Sequence, residues 1–217
     1  RIPKEQKMSA KPKKAKKLKP EEHVRQRPDS YIGEIGIIEN EPRWIFDEES
    51  SRMIKKEVTY NPGLEQCVME LIVNATDRAQ DPENGLTKID INVKNETISV
   101  TNNGVSIAIE IDKEHGVYEP ELIFGHMFTS TNYDEEGKEV ERTVGGKNGI
   151  GAKAANIFSN RFVVTVVNNG KKYVQEFRNQ MREKSEPEIT KVKSKDYVSI
   201  SYEPCLSVFG MKSILEN

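Results

Sequence analysis

The chain has 217 residues, of which 35% are hydrophobic and 31% charged, and its formal net charge at pH 7 is −2. This length allows one sizeable domain or two small ones. No apolar run approaches the ~20 residues of a membrane span. The two cysteines and three histidines lack metal-ligand spacing, so the composition argues against both a membrane protein and an all-protein zinc site.

A basic segment opens the sequence. Residues 1–20 carry nine Lys or Arg and one acid, a net charge of +8, against −10 for the other 197 residues. We predict a flexible basic arm over residues 1–19 and one globular domain over 20–217. Such an arm fits a nucleic-acid tether, a nuclear localisation signal or a solvated tail. The acidic body argues against a DNA-binding face that covers the whole domain.

Hydrophobic periodicity predicts an α+β fold. In chain order the patterns predict a turn at "RPDS", two strands in "RWIFDEESSRMIKKEVTY", a helix in "NPGLEQCVMELIVNATDRA", a hairpin in "KIDINVKNETISVTNNG", a short helix in "PELIFGHMF", a hairpin with an Asn-Gly turn in "RFVVTVVNNGKKYVQEF" and further strands in "EITKVKSKDYVSISY". These elements fit a two-layer α/β sandwich, in which a mostly antiparallel mixed sheet carries helices on one face.

The long helix has an apolar stripe and a separate polar one. The apolar stripe comprises Leu64, Val68, Leu71, Ile72, Ala75 and Ala79. Glu70, Asn74 and Asp77 follow at i, i+4 and i+7, within a stripe about 60° wide. A solvated polar face is one interpretation. The other is a site in which Glu70 activates water as a general base and the Asn74 carbonyl supplies a hard oxygen ligand for Mg²⁺.

The glycine-rich stretch "VGGKNGIGAKAANIFS" predicts an anion site, because glycines let backbone N–H groups approach a phosphate and a helix follows. The stretch also fits G-x-G-x-x-A, but the preceding "NYDEEGKEVERTV" is too charged for the buried strand that a dinucleotide fold needs. The P-loop spelling fails, since Gly146-Lys147 is followed by Asn148. A plain surface loop remains the alternative.

Five ordered blocks, taken together, are more specific. They are "HVRQRPDSYIG", "RWIFDEE", "EVTYNPGLEQCVMELIVNATD", "ELIFGHMFTSTNYD" and "VGGKNGIGAKAANIFS". This series resembles the GHKL (Bergerat-fold) ATPases and, within them, the ATPase domain of eukaryotic-type type II DNA topoisomerases. The resemblance runs from about Lys19 to the last residue. Gyrase subunits, heat-shock chaperones, mismatch-repair proteins and histidine kinases share the helix and the glycines but not "RPDSYIG" or "FTSTNYD".

The resemblance implies an ATP site with Mg²⁺. It makes Glu70 the catalytic base and Asn74 the Mg²⁺ ligand, and it places Asn102 at the adenine edge. It makes Ile107, Ile123 and Phe124 the adenine pocket and directs Ser130, Thr131 and Asn132 to the ribose and phosphates. The residues that it implies for the loop around the triphosphate are Gly146, Lys147, Asn148, Gly149, Ile150, Gly151, Ala152 and Lys153, and Asp77 is a further ATP-binding residue. The stretch "NYDEEGKEVERTV" corresponds to the mobile part of a lid over the nucleotide.

Three positions depart from the family pattern. Ser106 replaces a glycine, Val198 replaces a threonine, and Ala15 stands near the tyrosine of the strap that reaches the partner subunit. Ser106 would be strained at positive φ. The sequence also ends where the transducer domain of relatives begins, so we expect a fragment that lacks their γ-phosphate-sensing lysine.

The implied activity is ATP-driven closure of a homodimeric gate that passes double-stranded DNA, by a protein not bound to a membrane. Location is nuclear by resemblance, or the host cell or virion if the source is a large DNA virus. One alternative is another GHKL module, of the chaperone or mismatch-repair type, or a nucleotide sensor without turnover. Another is a DNA-binding protein with a basic tail and a structural α+β body.

Overall fold

The structure is a computed structural model that describes residues 18–77, 84–127 and 150–215. Its helices are α1 Pro20–Gln26, α2 Asp29–Ile32, α3 Pro62–Asp77, α4 Glu119–Gly125 and α5 Gly151–Ile157. Its strands are β1 Ile38–Asp47, β2 Arg52–Tyr60, β3 Ile89–Lys94, β4 Thr97–Asn103, β5 Ser159–Asn168, β6 Lys171–Arg178, β7 Glu183–Lys184, β8 Glu188–Lys191 and β9 Tyr197–Pro204.

Seven of these strands form one sheet in the order β3-β4-β9-β5-β6-β7, with β8 also paired to β6. Buried and half-buried residues alternate along β4 and β9, as expected for a sheet with one face against the core. Every described strand pair is antiparallel. The α+β sandwich is therefore confirmed, although none of the described pairs supplies the parallel part of a mixed sheet.

The core lies between this sheet and the helices α3 and α5. Phe162 and Tyr202 meet edge to face with ring centroids 6.4 Å apart, and both side chains are fully buried. On α3 the predicted stripe is confirmed at Leu64, Leu71 and Ala75. Val68 and Ile72 are partly buried, and Ala79 lies outside the described residues. The stripe also includes Cys67, whose burial raises the pKa of its thiol to about 12.

Asn61 holds the start of α3 in place. Its Oδ1 accepts a hydrogen bond from the backbone N–H of Leu64 at 2.9 Å, which caps the helix. Its Nδ2 donates to the carbonyls of Ile35 at 2.6 Å and Phe209 at 2.9 Å. One buried amide thus fixes the helix that carries the polar stripe relative to two other parts of the chain.

Two turns show how local sequence and structure compare. Asn169 and Gly170 have φ of 48° and 74°, so the predicted Asn-Gly hairpin turn between β5 and β6 is confirmed. The turn predicted at "RPDS" is confirmed, because the Ser30 N–H donates to the Arg27 carbonyl at 3.1 Å, but the helices on either side of it, α1 and α2, were not predicted. These helices have seven and four residues, which is too short for an apolar period to appear in the sequence.

The β1–β2 hairpin forms a separate two-stranded sheet. Its first strand begins at Ile38, ahead of the predicted "RWIFDEE", because pairing continues past an irregularity to Ile38 and Tyr60. Trp44, Phe46 and Met53 are each more than half exposed on the hairpin. Within the described ranges, no helix is long and apolar enough to cross a membrane.

Candidate functional site

The carboxylate of Glu70 lies against the start of α5. Its Oε1 accepts a hydrogen bond from Gln66 Nε2 at 2.7 Å, one helical turn earlier on α3. Its Oε2 faces Gly151, where an added Cβ would overlap this oxygen and come 2.9 Å from the Glu70 Cδ. Only a residue without a side chain allows the carboxylate this close to the backbone of α5. The structure therefore brings two predicted site residues, Glu70 and Gly151, together from separate helices.

Asn74 presents its amide oxygen outward. The side chain is exposed, and its Nδ2 donates to the Glu70 backbone carbonyl at 2.9 Å. Because that carbonyl can only accept, the NH₂ group must face it and Oδ1 points the other way. A neutral oxygen in this orientation suits a hard cation such as Mg²⁺. No group of three or more His, Cys, Asp or Glu side chains that could hold a metal occurs in the described residues.

Asp77 is the last residue of α3 and is half-buried. It follows Asn74 on the same helix, as the spacing predicts.

Asn102 is buried near the end of β4, with 4% of its surface exposed. It pairs in register with Ile89 on β3 and Val198 on β9, and its Nδ2 donates to the Asn103 carbonyl at 3.3 Å. The valine that departs from the family pattern is therefore a direct neighbour of the predicted adenine residue. It fills this position with an apolar side chain where a threonine would supply a hydroxyl.

The segment after β4 accommodates its second departure without strain. Gly104 has φ of 97°, and a Cβ there would come within 2.9 Å of the Leu86 backbone nitrogen. Ser106 is not among the residues at positive φ. Its hydroxyl donates to the Tyr197 carbonyl at 3.0 Å. A serine at this position therefore gains a hydrogen bond and suffers none of the strain that positive φ would bring.

The residues predicted to surround adenine are largely in the core. Ile107 and Phe124 are each 5% exposed, and the Phe124 ring lies 6.4 Å from that of Phe162 on β5. Ile123 is only partly buried. Phe124 therefore helps to hold α4 on the sheet, and Ile123 is the more accessible of the two neighbouring side chains.

On α5 the predicted phosphate residues lie close to the core. Ile150 and Gly151 are half-buried, Ala152 is buried, and Lys153 is 4% exposed. Burial lowers the pKa of Lys153 to about 8, because a low-dielectric surrounding disfavours the charged ammonium. A bound polyanion would reverse this effect. Ser130, Thr131, Asn132, Gly146, Lys147, Asn148 and Gly149 lie outside the described residues.

Asn156 joins the helices on the two sides of this region and was not predicted. It is fully buried on α5, and its Nδ2 donates to the Phe124 carbonyl on α4 at 3.0 Å. Its Oδ1 is also buried and has no hydrogen-bond partner among the residues that the structure describes. The signal in the sequence was an asparagine within the predicted helical stretch "AKAANIFS", since an asparagine in the interior of a helix needs a specific hydrogen-bond partner.

Glu121 anchors α4 to the edge of the sheet and was also not predicted. It is 4% exposed, and it accepts hydrogen bonds from Gln175 Nε2 at 2.7 Å and from Lys184. Burial opposes its ionisation, but the hydrogen bonds from Lys184, Gln175 and His126 hold its pKa below the usual value. The charged network therefore fixes the helix that carries Ile123 and Phe124.

No protein-family model matches the chain. Among curated proteins it is 43% identical over 207 residues to DNA topoisomerase 2 of Saccharomyces cerevisiae, covering 93% of the chain and 14% of that protein. It is 44% identical over 200 residues to DNA topoisomerase 2 of Acanthamoeba polyphaga mimivirus, covering 89% and 16%. The chain thus spans about a seventh of the curated relatives that it matches.

Solved structures agree with these matches. The ATPase region of Saccharomyces cerevisiae topoisomerase II superposes with a TM-score of 0.85 at 42% identity, covering 94% of the chain and 53% of that structure. The ATPase and transducer domains of DNA topoisomerase II from Balamuthia mandrillaris give a TM-score of 0.84 at 37% identity, covering 93% and 52%.

Proposed function

The chain belongs to the type II DNA topoisomerase family, in which it corresponds to the ATPase region, and we propose that it binds and hydrolyses ATP between α3 and α5. The observation that carries this proposal is the Glu70 carboxylate packed against Gly151, with the Asn74 amide one turn further along α3. A base, a metal ligand and a helix that follows a glycine-rich segment then meet in one place. A module that only binds nucleotide has no need of the base.

Hydrolysis follows from these positions. Glu70 accepts a proton from a water molecule while the water oxygen bonds to the γ-phosphorus of ATP. The bond from that phosphorus to the β–γ bridging oxygen breaks, and the electron pair leaves with ADP. The hydrogen bond from Gln66 orients the Glu70 carboxylate for this role. Lys153 and the backbone from Gly146 to Gly151 hold the triphosphate, and Asn102 contacts adenine.

Magnesium is the cation that this donor set fits. A neutral amide oxygen on Asn74, combined with phosphate oxygens and water, is a typical Mg²⁺ environment. The metal would neutralise charge on the phosphates during the reaction.

In the full-length protein we propose that ATP binding joins two copies around double-stranded DNA and that hydrolysis resets them. Such coupling requires the joined state to bind ATP more tightly than the separate state does. We propose a nuclear location, or the host cell or virion if the gene is viral. The yeast and mimivirus relatives are almost equally similar to the chain, so identity alone favours neither source.

The Asn74→Ala variant tests the site through nucleotide binding. We expect weaker ATP binding in the presence of Mg²⁺, because the variant loses a metal ligand, and little change in ADP binding measured with EDTA. Isothermal titration under both conditions gives the comparison. An equal loss with and without the metal would make Asn74 a structural residue and would remove the metal from the proposed site.

A further inference from the structure

Five lysines gather at one end of the seven-stranded sheet, around the turn that joins β5 to β6. We call them the β6–β8 lysine patch: Lys171, Lys172, Lys191, Lys193 and Lys195. Lys171 and Lys191 face each other directly in the β6–β8 register.

Two hydrogen bonds, each donated by a backbone N–H group, hold the loop after β8 beside this turn. The Val192 N–H donates to the Gly170 carbonyl at 2.8 Å, and the Asn169 N–H donates to Asp196 Oδ1 at 3.0 Å. The loop therefore brings Lys193 and Lys195 towards the two lysines on β6.

The patch carries charge that the protein does not neutralise. Lys171, Lys191, Lys193 and Lys195 are exposed, and Lys172 is half-buried. None of the five forms an ion pair with a described residue. The nearby acids in sequence are Glu188 and Asp196, and Asp196 already accepts the hydrogen bond from Asn169. Like charges directly opposite in a sheet are destabilising, and neither Lys171 nor Lys191 forms an ion pair with a described residue that would offset this cost.

Some cations elsewhere in the described chain do have an acidic partner. Lys88 pairs with Asp90 at 2.9 Å, Lys184 pairs with Glu121, and Arg161 pairs with Glu176 at 3.0 Å. Beyond the first 20 residues the chain has a net charge of −10. Five unneutralised lysines at one end of an acidic body are therefore a local feature and do not reflect the average composition.

We propose that the β6–β8 lysine patch binds the phosphate backbone of double-stranded DNA. Lysine is a compact, hydrated point charge that contacts phosphates without reading base sequence. The patch contains no arginine that could bind a guanine edge and no aromatic side chain that could stack on a base. The choice of DNA among polyanions rests on the proposed function, whereas the patch itself rests on the structure alone.

The salt dependence of DNA affinity tests this proposal. We would measure binding of the whole chain to a short duplex, without nucleotide, from low to moderate salt. The patch variant is Lys171→Gln/Lys191→Gln/Lys193→Gln. The matched control is Arg52→Gln/Lys55→Gln/Lys56→Gln, which removes the same charge from exposed positions on β2. Both variants keep the basic arm, so its contribution cancels.

The slope of log K against log salt is negative, and each lost phosphate contact reduces its magnitude by about 0.9. We expect the slope of the patch variant to be smaller in magnitude than that of the wild type by about 2 to 3, and the slope of the control to stay unchanged. Equal slopes for the patch variant and the wild type, or equal losses in both variants, would overturn the proposal. So would polyglutamate binding that depends on the patch as strongly as DNA binding does, since the partner would then be an acidic protein. Because ATP is absent, failure of the ATPase assignment leaves the DNA result readable.

Discussion

The absence of a side chain at Gly151 decides where the carboxylate of Glu70, the proposed catalytic base, can lie. A Cβ added there would overlap Glu70 Oε2. The carboxylate is the flexible end of a half-buried side chain, so it can rotate away without unfolding the protein. Glu70 would then no longer lie against the start of α5, which is the contact on which its proposed role depends.

We therefore expect Gly151→Ala to reduce ATP turnover by about 10²-fold with little change in melting temperature, because small displacements of a catalytic group are costly. Steady-state phosphate release and thermal unfolding measure the two effects. The control is Gly36→Ala, whose added Cβ would lie 3.3 Å from the flexible Glu34 carboxylate. Turnover close to wild type in Gly151→Ala would show that the Glu70–Gly151 approach has no role in catalysis.

Lys153 gives the site a predicted pH dependence. Burial depresses its pKa to about 8, and the protonated form is the one that attracts phosphate. ATP affinity should therefore fall as the pH rises through 8, by on the order of tenfold between pH 7.5 and 9.5. The same shift means that Lys153 destabilises the folded state below pH 8, where the lysine is protonated in both the folded and the unfolded chain. This destabilisation decreases as the pH rises from the folded pKa of about 8 towards the higher pKa of the unfolded chain.

Titrations of ATP across this pH range measure the predicted change. Lys153→Met should bind ATP weakly at every pH and lose the dependence. A wild-type profile that is flat, or a Lys153→Met profile with the same fall, would exclude Lys153 as the titrating phosphate ligand.

Among the elements, α4 and α5 are joined by a buried hydrogen bond. Asn156 on α5 donates to the Phe124 carbonyl on α4. The helix α4 carries residues predicted to contact adenine, and α5 carries residues predicted to contact the phosphates. Removing this hydrogen bond should therefore disturb the alignment of the adenine-binding residues with the phosphate-binding residues without disrupting either set.

We expect Asn156→Ala to weaken ATP binding about tenfold while adenosine and tripolyphosphate, tested separately, change by less than twofold. The control is Ser159→Ala, which loses a buried hydrogen bond to the Asn156 carbonyl but leaves the bond to α4. Each variant should lose about 1–3 kcal/mol of stability. Equal effects of both variants on ATP affinity would make Asn156 a packing residue only.

Most of the elements that could be predicted have a period, and the short helix predicted in "PELIFGHMF" is also confirmed as α4. The long helix and the hairpins are confirmed because their apolar residues recur at the helical or the alternating spacing that burial on one face requires, as in α3 and β4. The helices α1 and α2 are too short for a period. The predicted polar stripe located Glu70 and Asn74, but no local pattern could place Gly151 beside Glu70, because 81 positions separate them in the sequence. Asn156 was missed for the same reason, since its partner on α4 is revealed only by the fold. Gln66 was missed although its i, i+4 spacing from Glu70 on the predicted helix was an available signal.

At the scale of the whole molecule, the proposed nucleotide site and the β6–β8 lysine patch are formed by different residues. The proposed nucleotide site lies among α3, α4, α5 and β4, whereas the β6–β8 lysine patch lies around the β5–β6 turn. Under these two proposals, ATP and DNA bind different residues of one domain. Any coupling between them would need two states of the protein that each ligand favours to a different degree.

The Glu70→Gln variant of the full-length gene product tests the central claim most directly, with ATP binding and phosphate release measured on the same preparation. The amide keeps the shape of the carboxylate but cannot accept a proton from water. We expect ATP affinity within about twofold of wild type and a fall in turnover of about 10²–10⁴-fold, the usual contribution of a general base. Turnover within a factor of two of wild type would contradict the assignment of Glu70 and, with it, this account of the site.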